Sequence, residues 1–187
     1  MTKILLVRHG KAAATWTDDL DPGLDDLGHS QAESVTAELE SLMKDLRGVQ
    51  LLASPLRRTR ETSTPTAQLW RKPVTIEPRV AEIPSPGLSL EDRGAWLHSV
   101  MADRWSHLSQ ELQQWRQQLI DCVCDIQNDS VIFTHFIAIN VISGWLNNDD
   151  RVVNFMPDNC SITELVQTQS DGLELVKLGK EAGTKVN

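Results

Sequence analysis

At 187 residues the chain is long enough for one domain with a substantial core and too short for two ordinary ones, and we expect a single domain over 1–187. A hydrophobic fraction of 40% and a charged fraction of 24% exclude a disordered or fibrous chain. The formal charge of -8 argues against a nucleic-acid surface, because phosphate backbones are held by clustered Lys and Arg. The apolar run at the N-terminus is too short for a signal segment and no later run could cross a bilayer, so no membrane partner is expected. Cys122, Cys124 and Cys160 are odd in number and lack CxxC spacing, which argues against a disulfide framework or zinc ribbon and for reduced thiols in a cytoplasmic protein.

Lys3 to Val7 is continuously apolar and reads as a short strand buried on both faces. Residues 11–27 form a polar connection. Gly28 to Leu46 then carries Ala32, Val35, Leu39, Leu42, Met43 and Leu46 at three-four spacing, a helix with one apolar stripe that Gly48 ends. VQLLAS is a second buried strand, after which Ser54 and Pro55 have the chemistry of an N-cap and first helical residue. Pro65 is expected to kink or end that second helix.

VTIEP is a third strand, and VAEIPSPGLSL a loop punctuated by prolines and a glycine. Trp105, Leu108, Leu112, Trp115, Leu119, Val123 and Ile126 mark the clearest amphipathic helix. SVIFTH is a fourth strand, with an apolar helix FIAINVISGWL after it. Two β-like runs then flank Ser170-Asp171-Gly172, a hairpin turn. The order gives an α/β fold: a three-layer α/β/α sandwich with a mainly parallel sheet and a C-terminal antiparallel hairpin.

In open α/β sheets ligands bind at the carboxyl ends of the strands. Here the first strand ends at Arg8-His9-Gly10, the second at Ser54 before Arg57, Arg58 and Arg60, the third region at Glu82, and the fourth at Thr134-His135. Each alone has a bland reading: a histidine bonded to backbone, a solvated arginine face, a surface carboxylate. Arg57 is assigned to the solvated face. Together, two histidines, arginines and a carboxylate at one edge suit a phosphoryl group.

These residues also resemble a known family. Arg8-His9-Gly10, followed by Leu24-Asp25-Asp26-Leu27-Gly28 with Gln31-Ala32, is similar to the opening of the histidine phosphatase superfamily, or phosphoglycerate mutase-like family. Ser54-Pro55-Leu56-Arg57-Arg58 with Thr62 resembles its second motif, and Thr134-His135 its last. The match spans residues 4–146 in the family's order.

The resemblance implies His9 as a nucleophile that becomes phosphohistidine, and Arg8, Arg58 and His135 around the phosphoryl oxygens. Gly10 lets the main chain approach the ligand, with the amide after each histidine as a further donor. Glu82 matches the family's acid, ahead of Glu77, and a carboxyl partly desolvated near phosphate is expected to have a raised pKa. No cofactor is implied, and the substrate is a phosphorylated small molecule or phosphoprotein.

Three departures stand out. Lys11 to Thr15 lack the acidic residue and asparagine common after the first motif. Phe136-Ile137 replace two glycines, which narrows the pocket or gives it an apolar wall and favours bulkier substrates. Asp18, Asp19, Asp21, Asp25 and Asp26 would repel highly anionic ligands if they faced the mouth, or form a solvated loop.

His29, His98 and His107 lack ligand spacing, a zinc site using His9 and His135 has no supporting spacing, and no P-loop segment is present. The expected activity is therefore a metal-independent phosphatase. The alternatives are a mutase, disfavoured because the chain ends soon after its last strand, a protein phosphohistidine phosphatase, or a non-catalytic phosphate binder. Substrate identity and oligomeric state carry no signal.

Overall fold

The computed structural model describes residues 1–14, 19–85, 87–168 and 172–183. Its six strands are β1 (Thr2–Arg8), β2 (Gln50–Ala53), β3 (Val74–Ile76), β4 (Ser130–Thr134), β5 (Ile162–Thr168) and β6 (Gly172–Lys177). They form one sheet in the order β3-β2-β4-β1-β5-β6. The first four in that order are parallel neighbours, and β5 and β6 run antiparallel. Residues 169–171 of the expected hairpin turn lie outside the described residues, while its two strands pair as expected.

Five helices, α1 (Asp26–Leu42), α2 (Arg57–Trp70), α3 (Leu90–Met101), α4 (Gln110–Cys124) and α5 (Phe136–Leu146), cover both sheet faces. This is why β1 is apolar at every inner position. Leu5 and Val7 enter a core with Val35 and Leu39 of α1 and Trp70 of α2, whereas Ile4 and Leu6 enter the opposite core with Leu119, Ile139 and Ile142. Each such side chain contributes about 1.5–3 kcal/mol of burial. The three-layer sandwich is the arrangement its strand and helix pattern predicts.

The helix limits differ from the sequence reading for local reasons. α1 begins at Asp26 because Asp25 caps it, its carboxylate accepting the Gly28 amide at 2.7 Å. It ends at Leu42, and Leu46 reaches the core from the following turn, where Gly48 supplies a φ of 73°.

Ser54 and Pro55 do not open α2. The cap position falls on Leu56, which has no capping side chain, and Asp21 accepts the Arg57 amide at 2.7 Å from the distant loop. Pro65 does not end α2 either. Its missing N–H leaves the Glu61 carbonyl without the usual donor. Burial of Thr62, Ser63, Thr66 and Trp70 holds the helix across that gap, and Thr66 bonds Thr36 of α1 at 2.8 Å.

Sequence reasoning missed α3, which Ser89 caps by accepting the Asp92 amide. The apolar stripe from Trp105 is also not one helix. Trp105 sits in a short 3₁₀ turn, and Ser109 caps a separate start for α4. Among the described residues no helix is long and apolar enough to cross a membrane, and all three cysteines are free thiols.

Candidate active site

The carboxyl ends of β1, β2 and β4 are adjacent, so Arg8-His9, Ser54 and His135 arrive together. His9 is 5% exposed and His135 fully buried, and their rings meet edge to face with centroids 5.2 Å apart. The two imidazoles thus converge as the strand order requires.

The hydrogen bonds of His9 define its tautomer. Nδ1 lies 2.7 Å from the Gly10 carbonyl, which can only accept, so Nδ1 carries the proton. Arg58 donates its Nε–H to Nε2 at 3.2 Å, which requires a lone pair there. Burial lowers the His9 pKa well below the usual imidazole value, and the Arg58 and Arg8 charges lower it further. His9 is therefore neutral, with its basic nitrogen directed at an arginine.

The expected amide donor at Gly10 is already engaged, because Thr62 Oγ1 accepts it at 3.0 Å and in turn donates to the Arg58 carbonyl at 2.7 Å. Gly10 serves a different need. A Cβ there would lie 2.6 Å from the Gly28 carbonyl, so the glycine allows the β1 end to pack against α1 while its own carbonyl orients His9.

Arg8 lies over the ring of Phe136 at 5.2 Å and donates Nη1 to the Pro157 carbonyl at 2.8 Å. Phe136 thus forms a platform beneath the Arg8 guanidinium. It is not among the residues lining the cavity, so the apolar wall expected from it is absent there. Arg58, 4% exposed, is held between His9 and the Thr62 hydroxyl by its own backbone and side chain. Arg57 faces solvent and pairs with Glu61 at 2.7 Å.

Glu82 is 5% exposed and its two oxygens accept the Ile83 and Ile137 amides at 3.1 and 3.3 Å. Burial raises its pKa, opposed by those amides and by Arg58 and Arg8. Its rival Glu77 is engaged by Arg79 at 2.8 Å and caps a 3₁₀ turn over Pro78–Val80.

A cavity of about 230 Å³ opens onto this cluster, lined by Arg8, His9, Lys11, Arg58, Arg93 and Asn159 among others. Glu82 and His135 are buried and are not among the residues that line it. Of the acidic loop, Asp19 faces the cavity, Asp25 is paired with Lys11 at 2.8 Å, Asp21 and Asp25 cap helices, Asp26 lies exposed in the first turn of α1, and Asp18 lies outside the described residues.

Asn159 and Arg93 were not singled out from sequence. Asn159 donates to the His9 carbonyl at 3.0 Å. It is there because antiparallel β5 begins where β1 ends, a juxtaposition visible only once strand order is known. Arg93 comes from the missed helix α3. Among the described residues no group of three or more His, Cys, Asp or Glu is placed to hold a metal ion.

The buried histidines have a measurable consequence. A histidine whose folded pKa is lowered is neutral in the fold but protonated in the unfolded chain below about pH 6.5. Its stabilising contribution is complete above that pH and is lost as pH falls through it. Glu82 acts in the opposite sense, since its raised pKa lets the fold bind a proton more readily than the unfolded chain. Tm measured by calorimetry should fall between pH 7 and pH 5.5, less so in His9→Asn and more so in Glu82→Gln.

Known proteins share the family and the fold of this chain. The sequence profile described as "Histidine phosphatase superfamily (branch 1)" matches residues 4–180. A curated relative, the probable phosphoglycerate mutase GpmB of Erwinia tasmaniensis, is 28% identical over 198 residues, covering 92% of this chain and 88% of that protein.

Among solved structures, phosphoserine phosphatase from Entamoeba histolytica in complex with 3-phosphoglyceric acid superposes with a TM-score of 0.75 at 18% identity, covering 96% and 98% of the two chains. Mycobacterial glucosyl-3-phosphoglycerate phosphatase superposes with a TM-score of 0.72 at 17% identity, covering 97% and 100%. At such identities the likeness shows a shared fold, and the profile match shows the family: the chain belongs to the histidine phosphatase superfamily, branch 1.

Proposed function

We propose that this chain is a phosphatase that hydrolyses a small phosphomonoester through a phosphohistidine at Nε2 of His9, without a metal ion. The observation that carries the reading is the tautomer of His9. With Nδ1–H held by the Gly10 carbonyl, the lone pair is on Nε2, beside Arg58 and at the edge of the cavity.

In the first step that lone pair attacks phosphorus in line with the ester oxygen. The P–N bond forms as the P–O bond breaks, and the departing oxygen takes a proton from Glu82. In the second step water attacks phosphorus, gives its proton to the Glu82 carboxylate, and the P–N electron pair returns to His9. Arg8 and Arg58 offset the charge on the equatorial oxygens in both steps. The raised pKa of Glu82 supports its holding a proton near neutrality.

The named relatives support phosphorylated small molecules as substrates, since phosphoserine and glucosyl-3-phosphoglycerate phosphatases share the fold. A second reading, phosphoryl transfer between positions of one substrate, is favoured by the relative named as a phosphoglycerate mutase. Assaying phosphate release and positional isomerisation on the same panel of phosphorylated metabolites separates the two. Hydrolysis predicts stoichiometric inorganic phosphate, and a mutase predicts isomer without release.

Acid assistance matters most for poor leaving groups. Glu82→Gln should lower kcat on alkyl phosphates by roughly 10²–10⁴-fold and leave nitrophenyl phosphate turnover within about tenfold. Equal losses on both would remove Glu82 from the acid role.

A further inference from the structure

Ser54, read from sequence as a helix cap, does something else. Its side chain is fully buried at the end of β2, where Oγ lies 2.8 Å from Nε2 of His135 and accepts the Leu56 amide at 3.2 Å. On the other side of the imidazole, Nδ1 of His135 is buried and has no hydrogen-bond partner among the described residues. The ring is fully enclosed, edge to face with His9.

Counting donors and acceptors decides the proton positions. With one acceptor site of Oγ occupied by the Leu56 amide, the hydroxyl proton still needs an acceptor, and Nε2 of His135 lies within reach at 2.8 Å. If instead Nε2 carried the proton and donated to Oγ, both the serine hydroxyl proton and the Nδ1 lone pair would be buried unsatisfied. A buried donor or acceptor left without a partner loses its hydration with nothing in return. The arrangement with the fewest orphans has Ser54 donating to Nε2 and His135 protonated at Nδ1.

We propose that Ser54 is a positioning residue that locks His135 as the Nδ1-protonated tautomer, holding its ring edge to face with His9. The expected effect on turnover rests on the function proposed above, whereas the tautomer itself does not. Burial, with the Arg58 and Arg8 charges beside it, lowers the His135 pKa well below the usual imidazole value. His135 is thereby a fixed dipole rather than an acid or base. Such preorganised donors act where charge develops in the transition state.

The test is ¹⁵N NMR of the imidazoles in the intact, substrate-free protein, with His135 assigned by loss of its signals in His135→Asn. Protonated Nδ1 with bare Nε2 is expected. A proton on Nε2, or on both nitrogens at pH 7, overturns the proposal. Ser54→Ala should release the tautomer and lower kcat roughly ten- to a hundredfold with KM within about threefold, while Ser54→Thr restores both.

If Ser54→Ala keeps the Nδ1 tautomer, Ser54 is not its cause and the proposal fails. If that variant does not fold, the wild-type spectrum and Ser54→Thr still decide it. Loss of the phosphatase reading would appear separately, as turnover insensitive to His9→Ala with the His135 tautomer unchanged.

Discussion

Replacing His9 with alanine is expected to lower turnover of nitrophenyl phosphate by on the order of 10⁴-fold or more in the presence of a chelator, with folding retained. The size follows from what is removed. Every electron pair that reaches phosphorus in the first step comes from Nε2, and no neighbouring side chain can substitute. His135 is fully buried and does not line the cavity that His9 lines, and the thiol of Cys160 is pushed up to about 12 by burial. Residual activity near that of wild type would move the nucleophile elsewhere. Activity abolished by the chelator in the wild type would point to a bound metal.

The second large effect is expected from Arg58→Lys. Arg58 uses one side chain for two tasks: its Nε–H bonds the His9 lone pair at 3.2 Å, and its guanidinium faces the cavity. A lysine ammonium is a point charge on a flexible stem and cannot keep both directions at once. It is also more strongly hydrated, at a position only 4% exposed. kcat/KM should fall by roughly 10²–10³-fold, the range for loss of a preorganised donor.

Arg8→Lys should fall similarly, because lysine cannot reproduce the Pro157 bond together with planar contact over Phe136. Stopped-flow turnover with a thermal melt for each variant checks this. Lysine variants retaining more than a tenth of wild-type kcat/KM would mean that charge alone, rather than the planar fork, is required.

How far the sequence alone reaches can be judged from particular positions. β1 and β4 were legible because strands covered on both faces must be apolar at every inner residue, and α5 because its apolar run begins directly after His135. Arg8, His9, Arg58 and His135 fall together because parallel neighbouring strands bring their ends to one edge.

What escaped was anything depending on a partner distant in the chain. Ser54 has the look of a helix cap because Ser-Pro is locally ideal for one, yet Asp21, 36 residues before Arg57, accepts the first amide of α2, and the serine hydroxyl lies against His135. Gly10 looked like a ligand-facing glycine, but its neighbours are Gly28 and Thr62. Phe136 in place of a glycine suggests a narrowed pocket or an apolar wall, whereas its ring lies beneath Arg8. Asn159 carries no motif, and only the antiparallel direction of β5 brings it to His9. The single missed helix, α3, supplies Arg93 to the cavity and lies in the stretch where sequence offered no periodic signal.

The most direct measurement is rapid-quench trapping with a ³²P-labelled phosphomonoester, followed by peptide mapping. The account predicts a transient label, acid-labile and stable in base as a phosphoramidate should be, on the peptide containing His9 and absent from His9→Ala. Label on another residue, or product formed at full rate with no labelled protein at any time, would contradict it.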